Sequence, residues 1–130
     1  MVWTGWTLTR TVILLVGLAY LLISAQTAMF HYRQNFRNIS MWAPVLAGPL
    51  IGLAALLLAL ANARALVGLV KVLFWLGAAS GLIGFFYHFR GVGQRVDGYV
   101  PRNFLLGPPV ILPLMFSALG VVGLFAVYWR

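Results

Sequence analysis

Four long stretches without charge, each edged by basic residues, dominate the hydrophobic pattern of this chain. They fall at residues 11–30, 43–61, 66–89 (crossed once by Lys71) and 104–129. At about 1.5 Å of rise per residue, some 20 residues cross a hydrocarbon core about 30 Å thick, so each stretch is long enough. Lipid offers no partner for a backbone N–H or C=O, which makes such stretches helices rather than open strands. The pattern therefore predicts an all-α membrane protein with four transmembrane helices. The first run follows Arg10 and passes small residues near Ala25–Ala28, as a signal peptide would. Its apolar length, and its counterpart later in the chain, favour a retained helix.

The links between helices carry the polar signals. Asn62-Ala63-Arg64 is short enough to make the second and third helices antiparallel neighbours. The other two links, 32–42 and 90–103, hold Arg33, Arg37, Arg90, Arg95 and Arg102 and lie on one membrane face. Arg10, Arg64, Lys71 and Arg130 belong to the opposite face, with Lys71 expected to snorkel to its edge. Charge bias then puts loops 32–42 and 90–103 on the cytoplasmic side and both termini outside.

An internal repeat organises these features. Phe30-His31-Tyr32-Arg33 is echoed by Tyr87-His88-Phe89-Arg90, and Arg37-Asn38 ahead of Pro44-Val45-Leu46 by Arg102-Asn103 ahead of Pro109-Val110-Ile111. The second loop is longer, with the extra residues around Gly91–Gly98. Polar anchors recurring at one spacing point to two tandem-duplicated helical hairpins, 1–62 and 63–130, related by a pseudo-two-fold axis along the membrane normal. Pro44 and Pro109 are expected in the first turns of their helices, where a missing N–H is harmless, and Pro49 and Pro113 further in, where they would bend them.

The sequence has only two histidines, His31 and His88, and the repeat sets them at one depth on the first and third helices. Each tops a stripe of small residues: Ala28, Thr27, Ser24 and Gly17 under His31, and Gly84, Gly81 and Gly77 under His88. Such stripes admit a neighbouring helix, and they also leave room for a flat ligand. Two readings compete. Aromatic-His-aromatic-Arg is ordinary vocabulary of the membrane–water interface. The same geometry suits a b-type haem ligated by both imidazoles, walled by Phe30, Phe85 and Phe89, with Arg33, Arg37, Arg90 and Arg102 on its propionates or on anionic lipid.

Composition narrows the function classes. The chain is 63% hydrophobic and 8% charged, with nine Lys/Arg against Asp97 alone. The cations flank apolar segments instead of forming one stripe, so anionic lipid rather than nucleic acid is the expected partner. With one carboxylate there is no acid–base pair for independent catalysis, and with no cysteine there is neither disulfide nor thiolate ligand. The Asn38-Ile39-Ser40 sequon is read as fortuitous, in a short loop against the membrane. The leading expectation is a structural or anchoring subunit with a protein partner or a second copy of itself. A haem-bearing electron-transfer subunit is the alternative, and an oligomeric channel or transporter, lacking the usual buried charge, the second alternative.

Overall fold

The computed structural model describes residues 1–95 and 98–130, so Asp97 and part of the Gly91–Gly98 segment lie outside the described residues. Among them the chain is all-helical: α1 (Leu8–Arg33), α2 (Trp42–Ala61), α3 (Leu66–Arg95), a short α4 (Pro101–Leu106) and α5 (Ile111–Trp129), with a 3-10 turn at Ile39–Met41. Four of these helices are long and apolar enough to cross a bilayer, which makes the chain a multi-pass integral membrane protein.

Two boundaries depart from the hydrophobic pattern for local reasons. The fourth apolar run is interrupted: α4 stops at Leu106, and α5 begins only at Ile111. Gly107 is extended (φ −85°, ψ −168°), as a residue ahead of proline must be, and the Pro108-Pro109 pair supplies no N–H to continue a helix. Pro113 thus falls in the first turn of α5, where it bends nothing, and Pro109 stands ahead of the helix. The third helix, conversely, continues past residue 89 to Arg95. Its extension is held by packing: Val92 is fully buried, and Gly91 and Gly93 lie under Pro108 and the Tyr99 ring.

The helices stand in a square. α1 packs on α2, and α3 on α5, as the closest pairs; α1–α5 and α2–α3 contacts join the two hairpins, which leaves α1 and α3 on a diagonal. Close approach depends on small residues. A Cβ on Gly17 would lie 3.0 Å from the Gly52 carbonyl oxygen, and one on Gly52 2.9 Å from that of Gly17. In the other hairpin, a Cβ on Gly120 would lie 2.7 Å from backbone atoms of Ala78 and Phe74, and Ser117 Oγ donates across the seam to the Ala78 carbonyl at 2.7 Å. Small residues here let backbones touch, the usual source of helix association in lipid.

The middle of the bundle is solid. Tyr20 and Phe74 are fully buried and Phe116 nearly so. The Tyr20 ring meets Phe116 edge-on at 4.9 Å, its hydroxyl donates to the Phe116 carbonyl at 2.8 Å, and it occupies the space left by Gly77 and Gly120.

The end bearing the chain termini is tied by Asn62 and Arg10. Asn62 closes α2 in the left-handed conformation (φ 52°), accepts from the Val2 and Trp3 amides at 2.9 Å each and donates to the Trp3 carbonyl. Arg10 is only 8% exposed. It donates to the carbonyls of Ala59 (2.7 Å), Leu60 (3.3 Å) and Gly5 (3.0 Å) and stacks 4.2 Å from the Trp6 ring. A cation at the last carbonyls of α2 is favoured by both hydrogen bonding and the helix dipole. Arg10 is therefore a structural clasp as well as a flanking charge. Arg10→Met should cost about 2–3 kcal/mol, the usual worth of hydrogen bonds from a charged donor, read as a lower thermal midpoint in detergent. Lys71 ends with Nζ 4.2 Å over the Tyr128 ring near the same end.

Candidate functional site

The opposite end of the bundle is open. A cavity of about 510 Å³ enters between all four long helices there. That volume falls within the range of about 300–1,000 Å³ that holds cofactor-sized molecules. His31 and His88 both line it, and Phe116 sits at its floor over Tyr20.

The two imidazoles come from diagonal helices, yet their ring centroids are 6.3 Å apart, with 56° between the planes. His31 is buried and His88 half-buried. Each ring is fixed in the same manner. His31 Nδ1 lies 2.8 Å from the Met41 carbonyl oxygen, and His88 Nδ1 lies 2.7 Å from that of Pro109. Met41 immediately precedes α2, and Pro109 stands just ahead of α5. A carbonyl can only accept, so both Nδ1 atoms carry the proton, and in the neutral rings both Nε2 atoms hold a lone pair. Among the described residues neither Nε2 has a hydrogen-bond partner, and neither is a buried unsatisfied atom. An imidazole whose Nδ1–H is held by a backbone carbonyl and whose Nε2 is free is oriented as metal-ligating histidines are.

Local strain contributes to this orientation. After α1 the chain turns through Asn35 (φ 56°) and Phe36 (φ 45°), both left-handed. For phenylalanine that conformation costs on the order of 1–3 kcal/mol. It is held by Phe36 N–H donating to the His31 carbonyl at 3.0 Å and by the Phe36 ring stacking on Trp42 at 4.0 Å, which brings the Phe36 ring 6.2 Å from His31.

The arginines divide. Arg90 lines the cavity, and so does Arg95, which the sequence had assigned only to the loop. Arg33 lies 5.9 Å over the Phe30 ring, Arg102 is exposed on α4, and Arg37 reaches the rim only through Gln34; none of the three lines the cavity. Of the expected aromatic walls, Phe30 is in place. Phe85 and Phe89 are not: Phe89 stacks on Tyr99 at 4.9 Å, and Phe85 leans on Phe89. The small-residue stripes serve mainly packing, although Gly81 and Gly84 also border the cavity. Asn38 is occupied as a cap, accepting from the Ser40 amide and hydroxyl at 3.1 and 3.0 Å.

Among the described residues the lining holds no carboxylate, and no group of three or more potential metal-ligating side chains occurs. Chemically, the site offers two imidazole Nε2 lone pairs on rings 6.3 Å apart, and guanidiniums at its edge. Comparison with family models, with curated proteins and with solved structures finds no match to this chain.

Proposed function

We propose that this chain is a membrane-anchoring subunit, without catalysis of its own, that carries a b-type haem between His31 and His88. The observation that carries the reading is the close pair of imidazoles, each locked through Nδ1 to a carbonyl with no hydrogen-bond partner on Nε2. His31 and His88 would hold the iron, one Nε2 each, in the gap between the two rings. The ring centroids stand 6.3 Å apart. Electrostatics favours haem over a bare cation. A divalent ion would have to pass Arg90 and Arg95, whereas a macrocycle bearing two propionates is attracted by those same guanidiniums. When bound, haem supplies one-electron chemistry; the protein's part is to orient both nitrogens and hold the acidic edge.

The filled core beneath the cavity supports holding a ligand over conducting one, since Tyr20, Phe74 and Phe116 close the path. Matching sequence motifs, and two histidines each bonded to the chain just before the following membrane-spanning helix, support a tandem duplication with an axis along the membrane normal. The arginine excess of the cavity end supports placing it on the cytoplasmic side. Lipid-facing apolar side chains on all four spans leave ample surface for a partner subunit or a second copy. Purification from haem-replete cells should give a coloured protein with a reducible Soret band and one haem per chain. A colourless protein from such cells would contradict the haem assignment.

A further inference from the structure

The cavity mouth carries a second arrangement, which shares only Arg95 with the haem reading. Arg37, in the link after α1, donates through a terminal nitrogen to Gln34 Oε1 at 3.1 Å; Arg95, at the end of α3, donates to the same oxygen at 3.4 Å. Two guanidiniums from different hairpins thus converge on one neutral acceptor. An amide dipole is a weak partner for two like charges, and an anion in its place would engage both forks. The rest of this end is equally unbalanced. Arg33, Arg37, Arg90, Arg95 and Arg102 face the single acid of the whole sequence, which at full engagement cancels one of them.

The surroundings identify the anion. Beside these cations stand apolar side chains with no protein cover: Ile39 is 87% exposed, Leu105 86%, Tyr32 74% and Leu106 65%. Exposed leucine and isoleucine next to arginine is costly in water and favourable where acyl chains meet headgroups. The oxyanion abundant at that boundary is the lipid phosphate.

We propose that Arg37, Arg95 and Gln34 form an oxyanion clamp for the phosphate of an anionic phospholipid, joining the two hairpins at the cavity mouth. The clamp requires neither histidine; it shares Arg95 with the haem reading but does not depend on haem being bound.

The test is native mass spectrometry of the full-length protein in detergent, titrated with phosphatidylglycerol or phosphatidylcholine. Phosphatidylglycerol should be retained about thirtyfold better, since each of the two basic contacts near a lipid surface contributes about 1 kcal/mol. The Arg37→Gln/Arg95→Gln double variant should fall to within about twofold of phosphatidylcholine, while Arg64→Gln at the opposite end and His31→Ala keep the full preference. A preference that survives the double variant, or that Arg64→Gln removes equally, would overturn the clamp in favour of net charge. Loss of the preference in His31→Ala would assign it to the haem site. Displacement of the lipid by millimolar inorganic phosphate would overturn the lipid as the source of the anion.

Discussion

His31→Ala and His88→Ala should each lower the haem retained through purification about tenfold or more. Even outer partners of a metal ligand cost ten- to hundredfold in affinity when removed, and these substitutions delete the ligand itself. The expectation is symmetrical because the two rings are held in the same way, by Nδ1–H donation to Met41 and to Pro109. A haem ligated by one histidine alone would respond to only one of the substitutions. Haem per chain is read from the pyridine haemochrome spectrum against protein mass. Thermal unfolding of each apoprotein in detergent distinguishes loss of a ligand from loss of the fold. Neither ring belongs to the solid layer of Tyr20, Phe74 and Phe116, so the bundle should survive both changes.

Gly120→Ala should destabilise the bundle by about 1–3 kcal/mol, the range for overpacking a filled interior. The added methyl would sit 2.7 Å from the Ala78 amide nitrogen and the Phe74 carbonyl oxygen, and 3.0 Å from the Tyr20 hydroxyl. Two of these are backbone atoms of α3, so α5 must back away and lose the Ser117–Ala78 hydrogen bond with it. The same substitution at Gly68 has the opposite sign. Nothing lies within 4 Å of a Cβ there, and removing a helical glycine should add about 0.5–1 kcal/mol. Opposite shifts of the unfolding midpoint in detergent check both together. A shared sign would mean that propensity, not the α3–α5 seam, decides.

Much of the architecture was legible because lipid imposes a simple rule: length and apolarity select helices, and the short Asn62-Ala63-Arg64 link makes α2 and α3 neighbours. What hydropathy does not report is where a helix stops inside an apolar stretch. The Gly107-Pro108-Pro109 break was visible as letters, but proline in a first turn and proline ahead of a helix read alike until the backbone is traced. At the site, helical spacing under His31 and His88 indicated that both faces turn inward, and their rings line one cavity. Three features were beyond one-dimensional reading. The Met41 and Pro109 carbonyls that fix the rings are backbone groups with no residue-type signature. Arg95 enters the cavity only because α3 continues past residue 89, a consequence of Val92 packing. Arg10 resembles any basic flank, and its burial follows from the carbonyls left free where α2 ends at Ala61.

Electron paramagnetic resonance of the oxidised, purified protein tests the pairing of the two imidazoles most directly. The account predicts a low-spin ferric signal of bis-imidazole ligation, converted to high spin by either single histidine substitution. An iron-free wild-type protein, a high-spin wild-type signal, or a low-spin signal that outlasts both substitutions would contradict it.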